Sequence, residues 1–133
     1  MITKYLSCIL ILVTIMLEVR GQMQSPYLKL KEVAIKLNKS MPQYLDNYTR
    51  LDSLSAIPSN TLQYSCTLFS VNKAPASLKK LKSIREEKML NNIKTEKEFK
   101  PYRDNKVTIV YKYYDEDRIF LFSIFLTPEK YTK

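Results

Sequence analysis

From Ile119 to Leu126 every position but Ser123 is apolar, and this stretch constrains the chain more than any other. Phe120, Phe122, Ile124 and Leu126 share one side of an extended chain, while Ile119, Leu121 and Phe125 share the other. Its β-branched and aromatic content marks a strand. A strand that is apolar on both faces is normally covered on both. Either two helices lie on opposite sides of the sheet, or one face meets a partner or a second subunit. Just upstream, Val107, Ile109, Tyr111 and Tyr113 alternate as a half-buried strand, and Asp115-Glu116-Asp117 turns the chain between the two. The pair reads as a hairpin.

A second hairpin lies earlier. Tyr48 to Ile57 leans toward strand, and Pro58-Ser59-Asn60 is turn chemistry. Thr61 to Val71 then alternates, with Leu62, Tyr64, Cys66 and Leu68 on one side. Each hairpin follows a helical pattern. Ser25-Pro26 opens the first helix as N-cap and first helical residue, and Leu30, Val33, Ala34, Leu37 and Met41 keep helical spacing until Pro42. The second helix begins near Ser77 and runs to about Asn92, with Leu78, Leu81, Ile84, Met89 and Ile93 as its apolar half. Asn91 to Asn105 reads as a long polar connection, and the residues after Pro128 as a short polar tail. The expected fold is a single α+β domain in helix–hairpin–helix–hairpin order. Its four-stranded, mainly antiparallel sheet carries both helices.

The first residues belong to a different physical problem. Lys4 precedes an apolar run from Leu6 to Leu17, and Val19-Arg20-Gly21 offers a small-residue exit. The run is shorter than the ~20 residues that span a bilayer. Residues 1–21 therefore read as a cleaved signal peptide and 22–133 as the mature domain. A retained N-terminal anchor is the alternative, and membrane contact is expected only through an uncleaved leader. The protein is expected to be exported from a bacterium, to the periplasm or beyond.

Composition removes most catalytic templates. The chain has no histidine, so it lacks a histidine base and a histidine metal ligand. Its single glycine is Gly21, so phosphate-cradling loops, dinucleotide fingerprints and nucleophile elbows are missing. No cofactor and no metal site are expected. Cleavage leaves one cysteine, Cys66, which reads as a small buried hydrophobe. The acidic triplet at the last turn is expected to diverge into solvent rather than hold a cation. Asn38-Lys39-Ser40 and Asn47-Tyr48-Thr49 match the glycosylation triplet, which matters only in a eukaryotic secretory pathway.

The net charge is +9, and +8 once Lys4, Glu18 and Arg20 leave with the leader. Such a surface attracts anionic partners. Lys79, Lys80, Lys82, Arg85 and Lys88 on the second helix form the candidate anion or partner surface. Arg50, Asp52 and Ser53 in the first hairpin form a candidate surface strip. The basic residues are dispersed among glutamates, so specific nucleic-acid binding is not expected.

Longer motifs add a resemblance. LNKSMPQYLDNYTRLDS (37–53) is followed by NTLQYSCTLFSV (60–71), NNIKTEKEFKPYRDNKVTIVYKYYD (91–115) and FLTPEKY (125–131). This order resembles a group of small exported bacterial proteins of unknown function, over nearly all of the mature chain. Their pattern is LNKxLP, TRLDS, NTLxYxYTL, NN and a terminal YxYYDxxG hairpin. Members often carry cysteines where this chain has Lys94 and Tyr131, and the resemblance implies that those cysteines are bonded to each other. The hairpin glycine is also absent, with Asp117-Arg118 in its place. The resemblance supports fold and export and supplies no catalytic residue.

The leading expectation is an exported, non-enzymatic envelope binding or accessory protein. It would engage an unknown protein or an anionic envelope component. The alternatives are a hydrolase using carboxylates alone and an interaction subunit that self-associates, as a homodimer, through its Phe/Tyr-rich hairpin. Cleavage of the leader predicts a mature form beginning near Gln22. N-terminal mass analysis of fractionated cells checks this, and a full-length species in the inner membrane would refute it.

Overall fold

The first helix, α1 (Pro26–Asn38), starts where Ser25-Pro26 predicts, in a computed structural model that describes residues 25–133. The leader, Cys8 and the expected cleavage point lie outside the described residues. Pro26 fits the first turn because it has no N–H to leave unpaired. Leu30 and Ala34 are buried, and Val33, Leu37 and Met41 pack at the edge of the same core. Helix α1 lies on β2 (Thr49–Ile57) and β3 (Thr61–Leu68).

The sheet has five strands rather than the expected four. A short strand, β1 (Gln43–Asp46), pairs antiparallel with β2. Its four residues are all exposed, so no burial pattern announces it in the sequence. The order across the sheet is β1-β2-β3-β4-β5, with β4 at Thr108–Tyr114 and β5 at Phe120–Leu126. Both expected hairpins form, β2 with β3 and β4 with β5. They join through a parallel β3–β4 pair, which needs a long crossover. Helix α2 (Pro75–Thr95) supplies it. The expected polar connection is partly helical too: α2 runs on to Thr95, a 3-10 turn covers Lys97–Phe99, and α3 spans Lys100–Asp104. The tail folds as α4 (Pro128–Tyr131). There Tyr131 is buried, and its hydroxyl donates to the Val107 carbonyl at 2.8 Å.

Register places Leu62, Cys66, Ile109, Tyr113, Phe122, Ile124 and Leu126 on one face, all buried. Burying one such Leu or Ile is worth roughly 1.5–3 kcal/mol. Leu30 and Ala34 of α1 and Ile93 of α2 join the same core, so both helices cover this one face. Of the two alternatives that the sequence leaves open, helices on opposite sides of the sheet is therefore set aside. The other face carries Ser55, Gln63, Ser65, Lys112 and Ser123, exposed or half-buried, together with buried Thr67 and Val110. Phe125 on that face and Ile119 beside it are 51% and 60% exposed.

Two asparagines tie the layers together. The Asn38 side chain donates to the Leu54 carbonyl and accepts from the Leu54 N–H, each at 2.8 Å. Strand β1 pairs only as far as Leu51, so Asn38 takes the place a longer edge strand would hold. The same amide nitrogen would carry a glycan at the first triplet, and that site is occupied by the fold. Asn60 donates to the carbonyls of Asn105 and Lys106 at 2.8 and 3.1 Å and so anchors the entry to β4.

Asn38→Ala leaves both Leu54 backbone groups without their partner. We expect a loss of about 1–3 kcal/mol in denaturant unfolding. Asn38→Asp also destabilises, because a carboxylate cannot donate to the carbonyl.

Candidate functional site

On the helix-free face, residues of three strands and one turn line a groove of about 560 Å³. Arg50, Asp52 and Ser53 reach it from β2, and Ser65 reaches it from β3. Tyr114 at the end of β4 and Arg118 in the final turn line the far wall, and Pro42 closes the near side. The strip expected from sequence, Arg50, Asp52 and Ser53, thus lies together in this groove. Tyr114 and Arg118 were outside that expectation, because they approach through the parallel β3–β4 pairing that joins the two hairpins. The missing hairpin glycine was the one local sign at Arg118.

A bulge explains how Asp52 enters the groove. Leu51 pairs with Cys66 and Ser53 with Ser65, which leaves Asp52 as the extra residue. Its two oxygens have separate partners. Oδ1 accepts from Arg50 Nε at 2.5 Å, and Oδ2 accepts from the buried Thr67 hydroxyl at 2.6 Å. The bond to Asp52 pushes the Arg50 pKa further up, so this guanidinium stays charged at every accessible pH. Arg50 also lies 5.4 Å from the centre of the Phe69 ring, which Tyr44 stacks against. The pair is local and half-buried, with side chains 29% and 14% exposed.

The turn that presents Arg118 is built around Asp115. That residue was expected in solvent and is instead buried. Asp115 Oδ1 accepts the N–H groups of Asp117 and Ile119, each at 2.9 Å, and Oδ2 meets Lys73 Nζ at 2.5 Å. Lys73 first, and then the Ile119 N–H, lower the Asp115 pKa. Arg118 takes φ 66°, the left-handed conformation that a glycine would adopt without strain. The glycine-free turn therefore places a left-handed backbone on a groove residue.

The basic helix face divides. Lys79, Lys80 and Lys88 are exposed and Lys82 is half-buried. Arg85 turns inward: its Nη2 donates to the Thr49 hydroxyl at 2.9 Å, and its guanidinium sits 5.3 Å from the Tyr113 ring centre. The inner stripe of α2 therefore runs Leu78, Leu81, Arg85, Met89 and Ile93, and Ile84 is left 55% exposed. Ile84 drops out of the expected apolar half because the 3.6-residue period favours position 85. Arginine serves there by packing its stem and placing its charged end on an aromatic face. Lys79, Lys80, Lys82 and Lys88 lie apart from the groove.

Cys66 is fully buried beneath the helices, and burial pushes its thiol up to about 12. A thiol held neutral in this way is a poor nucleophile. A second, more apolar cavity of about 210 Å³ lies between α1 and the α3 segment, with Leu30, Val33, Pro101, Tyr102 and Val107 among its walls. No group of three or more metal-binding side chains occurs among the described residues. None of the described helices is long and apolar enough to cross a membrane.

These features define a small α+β protein whose sheet is covered on one face and grooved on the other. The chain belongs to the family described as a domain of unknown function (DUF8479), whose profile matches residues 27–122. No curated protein matches it in sequence. Solved structures share its fold at low identity. The pilotin EpsS of the Vibrio vulnificus type 2 secretion system has a TM-score of 0.61 and 13% identity, over 80% of this chain and 91% of its own. The type II secretion system pilotin AspS from Vibrio cholerae has a TM-score of 0.59 and 12% identity, over 84% and 97%. A Pseudomonas aeruginosa protein thought to be secreted has a TM-score of 0.60 and 7% identity, over 80% and 96%.

The lowered Asp115 pKa sets the sign of an acid effect. Its contribution is present above the ordinary carboxylate pKa, near 3.9, and is lost as pH falls through the folded value. Asp115→Asn is therefore expected to lower the melting temperature at pH 7. The gap to wild type should close progressively below about pH 4. Melting curves across that range check it, and a gap independent of pH would refute the ionic role.

Proposed function

We propose that this protein is an exported, non-enzymatic accessory protein of the bacterial envelope that holds a partner protein on the helix-free face of its sheet. The observation that carries this reading is the groove lined by β2, β3 and the end of β4. Its Ser53 and Ser65 hydroxyls and its Arg118 guanidinium make no side-chain hydrogen bond or ion pair among the described residues. Groups of this kind in a concave site serve recognition. Support also comes from the neighbours in fold, two of which are pilotins of type 2 secretion systems. A shared fold by itself carries no function, so the argument stands on the groove.

The carboxylate-only hydrolase has less support. Such chemistry sets two acids about 5–10 Å apart across the substrate. The groove walls hold one carboxylate, Asp52, and both of its oxygens are engaged. Self-association has an observation of its own, because β5 is an edge strand that exposes Phe120 and Phe125, with exposed Ile119 just before it. Lys130, itself paired with Glu86, donates to the Phe125 carbonyl and covers part of the edge. That cover favours a partner on the face over pairing at the edge.

Site-specific photocrosslinking in the native host tests the reading. Probes at Ser53 or Ser65 are expected to capture one identified envelope protein that probes at Lys80 or Lys88 do not. Equal capture from the helix positions would transfer the function to the basic face. Adducts made only of the protein itself would favour the self-associating subunit.

A further inference from the structure

The chemistry of the groove extends the proposed function and rests on it. We infer that the groove binds an acidic peptide segment of its partner, with side-chain carboxylates held between Arg50 and Arg118. Charge is the first argument. The walls carry two guanidiniums against one carboxylate, and Asp52 is already satisfied by Arg50 and Thr67. The surplus is positive in a chain that is positive overall. Arg118 has no acidic partner among the described residues, although Glu116 and Asp117 stand beside it in sequence. Hydrogen bonding is the second argument. Ser53 and Ser65 sit opposite each other across β2 and β3, so two free hydroxyls lie side by side on the groove floor. Guanidinium and hydroxyl donors together match carboxylate oxygens.

The shape of the groove selects a peptide over a membrane. Arg50 is recessed, with 29% of its side chain exposed, and a flat headgroup layer does not reach into a groove. A glutamate or aspartate side chain on an extended segment does. Pro42 and the Tyr114 ring give apolar contact for the stems and backbone of such a segment. The Arg118 backbone adds a separate sign. A left-handed arginine is a strained choice in a turn, and the buried Asp115, held by Lys73, keeps the turn in that form. Glycine would relieve the strain and remove the charge.

The test uses protein purified from the envelope of cells expressing the full chain. Its probe is a labelled peptide alternating glutamate and serine. Binding is expected, weakening as salt rises. The glutamine version should bind at least about tenfold more weakly. Arg118→Gly should melt at a higher temperature, because a left-handed position loses its side-chain strain. The same variant should bind the glutamate peptide about five- to tenfold more weakly, and Arg118→Lys should recover part of that loss. The pair Arg50→Gln with Asp52→Asn keeps the groove's net charge and should also weaken binding. Equal binding of the glutamine peptide, unchanged binding by Arg118→Gly, or capture of phosphatidylglycerol vesicles without capture of the peptide would each overturn the inference. Failure here with continued crosslinking from Ser53 would leave the docking face and remove its acidic specificity. Peptide binding without envelope crosslinks would do the reverse.

Discussion

The two hydrogen bonds between Asn38 and Leu54 are the constraint on which the rest of the architecture depends. Strand β2 is the second strand of the sheet, and β1 covers it only as far as Leu51. Beyond that point its outer edge would present unpaired peptide groups beside the core. A buried peptide group without a partner costs about 1–3 kcal/mol. Asn38 meets both groups at Leu54 with one side chain, and it stands at the end of α1. A single residue therefore closes the sheet edge and fixes where α1 ends over the core. Asparagine suits this position because its amide carries a donor and an acceptor, as a peptide unit does.

With Gly21 outside the described residues, those residues have no glycine with which to make left-handed turns. Ser59, Asn60, Ser70, Lys106 and Arg118 adopt positive φ instead. Each such residue costs of order 1–3 kcal/mol unless its surroundings hold it. Two of these regions show how they are held. Asn60 grips the carbonyls of Asn105 and Lys106, so the β2–β3 turn and the entry to β4 stabilise each other. Asp115 gathers the N–H groups of Asp117 and Ile119 around Arg118. Side-chain hydrogen bonds take over the role that backbone freedom plays in glycine-rich folds. The substitution makes the turns specific, because each depends on one partner.

Much of the fold was legible because burial imposes a period. The α1 stripe, the alternation from Leu62 to Leu68 and both hairpins follow from which side chains must leave water. Strand β1 was not legible, because it is paired on one side and exposed at every residue, so pairing alone defines it. The inward turn of Arg85 was hidden for another reason. A charged residue on an apolar stripe reads as an interruption unless the aromatic ring that receives it is known. The strip at Arg50, Asp52 and Ser53 was visible as polar residues in one strand. Tyr114 and Arg118 were not, since their approach depends on β3 pairing with β4 across a crossover of some forty residues. The both-sided apolarity of β5 reads as a demand for cover, and the helices meet it on one face only, leaving Phe125 exposed on the other. The choice between a second helix layer and a partner needed the helices to be placed.

That placement gives the open face its meaning. If α1 and α2 had divided between the two faces, the bulge at Asp52 would lie under a helix and its polar cluster would be core. With both helices on one side, the bulge turns Asp52 and its arginine toward the exposed concavity. The Asp52–Arg50–Thr67 cluster then does two things at once. It satisfies the one acid that lines the groove, and it holds a guanidinium in a fixed position at the groove wall. Arg118 faces it from a turn whose shape is set by a buried aspartate and a lysine. One arginine is positioned by a bulge and the other by a strained turn. Neither irregularity is required by the sheet itself, since a regular β2 and a glycine turn would satisfy the same core. Both irregularities border the same groove, and that coincidence gives the groove more weight than its volume does.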